Sequence, residues 1–313
     1  MKLHLDTDFG GDPDDACALA MVLGWSEVEL VGITTSLEHD GHRAGCVAQV
    51  LKTADRIGVP IAPGSDTTLT GGKYRSTAED SRFWNLTVEP LRDRPTAFLD
   101  LLLENVTRGA TVLAIGGFTN LAMLELIRPG SLTDVPVVAM NGWFGVAGPG
   151  MAPWGHEFDF NTQVDVRAAE IVAATANLTL MPLPVAMHAT LKGRHLSRLR
   201  AAGPLGSLLA DQSELHRDAS GFVHLAETWP GIPDDLTNFH WDPVTAAVAL
   251  GWNGAQIEER RLSSRTHDGV LRFVDEPAGR LHRVVTSVDG SACDELFLAS
   301  VERVVQPISS SRR

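Results

Sequence analysis

The chain has 313 residues, 44% of them hydrophobic, which is enough for one large core or two small ones and too apolar for a disordered chain. Lys and Arg total 26 against 39 Asp and Glu, giving a formal net charge of −13 with no basic run, so nucleic acid and anionic membrane surfaces are disfavoured as partners. Three widely separated cysteines, Cys17, Cys46 and Cys293, form no CxxC pair, which argues against a disulfide framework or a thiolate zinc site.

The opening MKLHLDTDFGGD lacks the apolar core of a signal peptide, and no later apolar run reaches about 18 residues. A cytoplasmic protein without membrane spans is expected. Residues 3–5 read as a short strand, 6–13 as a loop and 14–25 as a helix whose Ala, Leu, Met and Val face inward. Residues 28–34 form the next strand, 43–57 a helix and 59–62 a strand. Further on, 96–106 and 120–127 are helical, 111–115 and 135–140 are strands, and a helix at 167–176 leads to a strand at 178–183. The alternation predicts an α/β fold, a mostly parallel central sheet with helices on both faces. Gly/Pro-rich stretches at 142–155 and 228–238, each with tryptophan, read as loops of the sort that cover a site. From about residue 254 the chain adds strands and a helix without a chemical motif. One catalytic domain over 1–308 with a polar tail at 309–313 is expected.

The densest signal is Asp6-Thr7-Asp8-Phe9-Gly10-Gly11-Asp12-Pro13-Asp14-Asp15, which packs five carboxylates into ten residues at a strand-to-helix junction. Like charges at that density require a cation or strong hydrogen bonds. Capping is one reading: Asp12 as the N-cap, Pro13 as the first helical residue, Asp14 and Asp15 as first-turn acids favoured by the helix dipole. It leaves Asp6 and Asp8 unexplained at the carboxyl end of a strand, where open α/β sheets place their ligands. The other reading is a metal site, and its oxygen-only donors favour Ca²⁺ or Mg²⁺ over zinc.

The cluster resembles the signature of the calcium-dependent nucleoside hydrolases, an Asp-Thr-Asp-Pro-Gly-x-Asp-Asp loop. Asp6-Thr7-Asp8, Gly10 and Asp14-Asp15-Ala16 match its parts, while Phe9 replaces the proline and two extra residues make Asp12 a competitor for the role of Asp8. Gly116-Gly117-Phe118-Thr119-Asn120 resembles the family's Gly-Pro-Leu-Thr-Asn, and Met140-Asn141-Gly142 resembles its Met-Gly-Gly turn. Asp159-Phe160-Asn161, followed by Asp165, resembles Glu-Phe-Asn and a later Asp, and Trp241-Asp242-Pro243 resembles His-Asp-Pro. Singly, each of these also reads as a helix cap or helix start.

The resemblance implies hydrolysis of the N-glycosidic bond of a ribonucleoside, with a small-molecule substrate and a homo-oligomeric assembly. It implies Asp8 as general base on a water, a calcium ion ligated by Asp8, Asp15, the Thr119 carbonyl and Asp242, and ribose bound by Asp14 and Asn161, with Asp159 in the position of the family's Glu. Asp6 becomes support behind the site. Where other members carry a His that protonates the base, this chain has Trp241, and Trp241 with Trp84 is expected to stack a purine. His240 is one residue too early to replace that His; His39, Asp40 and His156 lie in loops. Two other readings stand beside this one: an Asp-x-Asp phosphatase using Mg²⁺, and a calcium-dependent ribose- or nucleoside-binding protein without turnover.

Overall fold

The structure, a computed structural model, describes residues 1–71 and 88–304. Trp84 and the tail 309–313 lie outside the described residues. The first half runs β1 (Lys2–Thr7), α1 (Asp14–Leu23), β2 (Glu29–Thr35), α2 (His42–Thr53), β3 (Ile61–Pro63), α3 (Ala97–Thr107), β4 (Thr111–Ala114), α4 (Thr119–Ile127) and β5 (Pro136–Met140). It continues through α5 (Phe160–Gln163), α6 (Val166–Thr175), β6 (Asn177–Met181) and α7 (Leu183–Ala186). The expected alternation is present. The later elements are β7 (Thr190–Lys192), α8 (Leu196–Ala201), α9 (Pro204–Ser220), α10 (Phe222–Thr228), β8 (Leu236–Phe239), α11 (Trp241–Ala249), β9 (Ala255–His267), β10 (Val270–Asp275), β11 (Arg280–Val288) and α12 (Gly290–Val304).

Among the described residues nine strands form one sheet in the order β10-β9-β11-β6-β5-β4-β1-β2-β3. From β6 to β3 every neighbouring pair is parallel, β11 joins β6 in parallel, and β9 and β10 close the edge antiparallel. Along β5, Val138 and Met140 face one apolar core while Val137 and Ala139 face another, so both faces of the sheet are covered. Helix α1 is buried from Asp14 to Val22 because its small residues Ala16, Ala18 and Ala20 let it lie between the sheet, α11 and α12. The chain leaves β1 in one direction, through β2 to β3, and then crosses back to β4 on the other side of β1. That reversal separates the loops following β1 and β4 and opens a crevice at the carboxyl ends of the strands.

Two differences from the sequence reading have local causes. Helix α2 stops at Thr53, short of residue 57, because Asp55 turns left-handed at φ 55° and the chain closes a Schellman motif. In it, Arg56 N donates to the Leu51 carbonyl at 2.8 Å and Asp55 N to the Lys52 carbonyl at 3.2 Å. The stretch 228–238 is not all loop, since β8 begins at Leu236 and pairs antiparallel with β7. The stretch 142–155 does lack helix and strand. No helix among the described residues is long and apolar enough to cross a membrane.

Helix α2 also carries an unusual cap, which yields a stability prediction. Glu38 is buried, and its carboxylate accepts from the backbone N–H groups of His39 (2.8 Å), Arg43 (2.8 Å) and Ala44 (3.0 Å) and from the Thr35 hydroxyl. A buried acid on otherwise orphaned helix donors combines charge-assisted bonds with the helix dipole. Glu38→Ala is therefore expected to cost about 3 kcal/mol, read as a lower urea midpoint, with Glu38→Gln losing less. An unchanged midpoint would show that water replaces the cap.

Candidate active site

The carboxylates gather at the crevice between β1 and β4. Asp6 ends inside β1, Asp8 follows it, and Asp14 and Asp15 open α1 with only 3% exposure each. The expected capping by Asp12 is not what forms: Pro13 occupies the N-cap position, and no side chain caps α1. Instead Asp8, Asp12, Asp14 and Asp15 line a cavity of about 480 Å³, and Asp242, in the first turn of α11, reaches the same cavity from the far end of the chain. That volume suits a small-molecule ligand.

Burial lifts the proton affinities of Asp14, Asp15 and Asp242 well above the ordinary carboxylate range, and their neighbours lift them further. Asp12 and Asp242 act on Asp14; Asp8 and Asp12 act on Asp15; Asp15, Asp12 and Asp8 act on Asp242. The Thr7 hydroxyl, which donates to Asp15, opposes the rise. The Arg43 guanidinium also opposes the rise at Asp15, yet all three carboxyls stay well above their ordinary range, and a hard cation with oxygen ligands is the natural counterpart. One oxygen from each of Asp12, Asp14 and Asp15 lies within 4.8 Å of the others, a trio that can hold a metal ion. The expected ligands Asp8 and Asp242 share the cavity but stand outside that trio.

Asp6 is held behind the site by a buried chain of hydrogen bonds. Its Oδ2 accepts from the Thr34 hydroxyl and from Asn120 Nδ2 at 2.8 Å. Asn105 Nδ2 donates to His4 Nδ1 at 2.9 Å, so the proton of the neutral ring sits on Nε2 and is directed to Thr34 Oγ1 at 3.0 Å. Burial keeps His4 neutral, its pKa lowered to about 3, and raises Asp6 to about 7. Asn120 therefore reaches the β1 side of the crevice and does not cap α4; its second donor bond goes to the Thr35 carbonyl. Thr119 opens α4, and its hydroxyl donates to Asp165 Oδ2 at 2.7 Å. Gly116 stands where the β4 loop passes closest to Asp8. A Cβ there would lie 2.7 Å from Asp8 N and 3.0 Å from Asp8 Oδ1, so only glycine permits the approach.

The opposite side of the crevice carries the remaining expected residues. Asn161 lines the cavity and its Nδ2 donates to the Ile115 and Met140 carbonyls, each at 3.0 Å, tying together the ends of β4 and β5. Asp159 also lines it, caps α5 through Thr162 N, and accepts from Gly142 N at 2.7 Å; burial raises its pKa to about 6. Trp241 lines the cavity and stacks on Phe239 at 5.1 Å and 21°. His240 points away, packed edge-on to Phe297 at 4.5 Å, as expected from its place in the sequence. Asp40 pairs with exposed Arg92 on the surface.

Sequence reading missed part of the wall. Trp154, Phe158, His216, Phe222 and Arg43 all line the cavity. Trp154 stacks on Phe158 at 5.6 Å, and its place in a Gly/Pro-rich loop was the available signal. Arg43 is fully buried, with Nε donating to the Leu37 carbonyl (2.9 Å) and Nη1 to the Phe9 carbonyl (2.8 Å), so it braces the loop that carries the aspartates. Nothing in its sequence context marked it.

Comparison with known proteins gives the family and the fold. Residues 3–294 match the family model described as inosine-uridine preferring nucleoside hydrolase. The chain is 30% identical over 220 residues to the inosine-uridine preferring nucleoside hydrolase of Leishmania major, spanning 64% of this chain and 66% of that one. It is 24% identical over 263 residues to the pyrimidine-specific ribonucleoside hydrolase RihA of an Enterobacter strain, spanning 80% and 78%. Among solved structures, the plant nucleoside hydrolase PpNRh1 superposes with a TM-score of 0.81 at 20% identity, covering 98% of this chain and 99% of that one. The purine-preferring ribonucleoside hydrolase from Gardnerella vaginalis superposes with a TM-score of 0.77 at 18% identity, covering 97% and 99%.

Proposed function

The chain belongs to the inosine-uridine preferring nucleoside hydrolase family, and on that premise we propose that it is a nucleosidase that cleaves purine ribonucleosides to free base and ribose, with Ca²⁺ as its metal. The observation that carries this reading is the meeting of six aspartates with an aromatic wall across one cavity of about 480 Å³. Charge develops on the sugar as an N-glycosidic bond breaks, so carboxylates belong beside the ribose and a flat apolar wall beside the base. The all-oxygen donor set supports Ca²⁺. We assign Asp8, Asp15, the Thr119 carbonyl and Asp242 as its holders, with Asp12 as the nearest substitute.

When bound, the cation supplies positive charge that relieves the repulsion among the carboxylates and lowers the pKa of nearby water. Asp8 accepts the proton of the attacking water. Asp14 accepts a hydrogen bond from a ribose hydroxyl, and so does Asn161, whose acceptor Oδ1 is what it can offer while Nδ2 serves the strand ends. Asp159, fixed by Gly142 and Thr162, sits at the sugar's edge. Asp6 keeps the end of β1 in place from behind.

The purine preference rests on stacking area. Trp241 on Phe239 and Trp154 on Phe158 offer indole faces to a fused ring system, and a single-ring pyrimidine covers less of them. Trp241→Ala is expected to lower kcat/KM for inosine about tenfold, with a smaller loss for uridine, in a reducing-sugar assay. A wild-type preference for uridine that survives this change would refute the stacking proposal. The reaction itself is tested by a nucleoside panel with and without a chelator. Absence of ribose release from every nucleoside sinks the hydrolase reading and favours a binding protein, and release of phosphate from phosphomonoesters in its place favours a phosphatase. A cytoplasmic homo-oligomer completes the proposal, testable by fractionation and by mass in solution; the buried thiols of Cys17, Cys46 and Cys293, none of them in a disulfide, suit a reducing compartment.

A further inference from the structure

The end of α9 brings an imidazole to the side of the cavity opposite the aspartates. His216 and Ser220 lie one turn apart on that helix, both line the cavity, and Ser220 Oγ donates to the His216 carbonyl at 2.6 Å. Gly221, left-handed at φ 74°, then reverses the chain so that Phe222 returns to the cavity beside His216, their rings edge-to-face at 5.2 Å and 81°. From there a continuous series of ring contacts runs through Phe222 and Phe239 at 5.6 Å to Phe239 and Trp241 at 5.1 Å. Trp241 precedes Asp242 of the carboxylate cluster. His216 thus stands in the aromatic half of the cavity, where the base must lie if the sugar lies on the aspartates.

We propose that His216 is the proton donor to the departing base, an inference that rests on the nucleosidase reading above. Among the described residues it is the imidazole lining the cavity. The other ionisable groups there are aspartates and Arg43, and a guanidinium does not release its proton. The indole of Trp241 donates a hydrogen bond but does not titrate. Imidazolium gives up a proton near neutrality, which suits a purine whose acceptor nitrogen gains electron density as its bond to the sugar breaks. The step balances as follows. The C1′–N bond breaks with its electron pair moving into the base, and His216 delivers a proton to the base. Water forms the new C1′–O bond, and its proton passes to the Asp8 carboxylate. Exchange with solvent then returns one proton from Asp8 and restores one to His216.

The test compares leaving groups on the metal-loaded full chain. Inosine needs a proton on its base, whereas p-nitrophenyl β-D-ribofuranoside expels a stable phenolate without one. In His216→Gln and His216→Phe, kcat for inosine is expected to fall by about 10²-fold or more, with the nitrophenyl riboside losing less than about threefold. That second substrate also reports whether each variant has folded. Parallel losses on both substrates, or full inosine turnover in either variant, overturn the assignment. A wild-type protein that cleaves only the nitrophenyl riboside overturns it too, since no leaving-group acid would then be at work. A wild-type protein that cleaves neither removes the nucleosidase reading, and the role of His216 falls with it.

Discussion

Asp8→Ala is expected to lower kcat for inosine by about 10³-fold while leaving the fold intact. The reason is positional. Asp8 is the first residue beyond β1 at the crevice, and the β4 loop approaches its backbone nitrogen and Oδ1 so closely that Gly116 has no room for a side chain. On the function proposed above, a carboxylate held there is a fixed base for water lying over the sugar. Asp8→Asn keeps the shape and removes the basicity, so it should lose nearly as much in kcat with little change in KM. Asp12→Ala is the decisive companion, because Asp12 stands with Asp14 and Asp15 in the close trio and the loop is two residues longer than the family signature. If Asp12→Ala abolishes turnover and Asp8→Ala does not, the base is Asp12. Both variants should be measured at saturating Ca²⁺, so that weakened metal binding is not mistaken for lost base catalysis.

Removing the metal is expected to destabilise the protein, and more so as pH rises. Asp6 is raised to about 7 and Asp159 to about 6, and Asp14, Asp15 and Asp242 are raised well above their ordinary range, all through burial first. Each raised carboxyl binds a proton more tightly folded than unfolded. Its destabilisation is absent below the unfolded value of about 4 and grows to its full size above the folded one. The histidines work the other way. His4 and His240, lowered to about 3, cost stability below about pH 6.5; that cost grows as pH falls to about 3 and stays at its full size below it. Above pH 6.5 they have no further effect. From pH 6.5 to 8 the Tm of the chelated protein should therefore fall, and Ca²⁺ should restore it. At a thousandfold excess over Kd the ligand contributes about 4 kcal/mol, a rise in Tm of roughly 6 °C for a chain of this size. Because the cation must displace protons from the cluster, its affinity, measured by calorimetry, should increase with pH across the same window. A Tm that is independent of pH and of Ca²⁺ would mean that the carboxylates bind no ion.

Much of the first half of the fold was legible before the structure. Strands such as β4 and β5 are buried on both faces, and so they are written as mostly apolar runs at predictable intervals. The aspartate cluster was legible for a different reason: five acids in ten residues is a density that a soluble surface does not need. The limits were local as well as global. The stop of α2 at Thr53 depends on Asp55 adopting a left-handed turn, which a sequence permits without announcing. The region from β7 to α10 consists of short pieces whose pairing, as in β7 with β8, is set by contacts across the chain and not by periodicity.

The sequence by itself determined that the chain is acidic, that its sheet is mostly parallel, and that a carboxylate loop ends the first strand. Those properties follow from composition and from patterns repeating within a few residues. Only the tertiary structure decided what faces that loop. Asp242 joins the aspartates because α11 packs on α1, and His216 with Phe222 joins the opposite wall because Gly221 turns α9 back on itself. The same packing selected Asp12 for the close trio over Asp8 and made Arg43 the brace beneath Phe9. A site between strand ends is assembled from residues hundreds of positions apart, and no local pattern encodes which of them will meet.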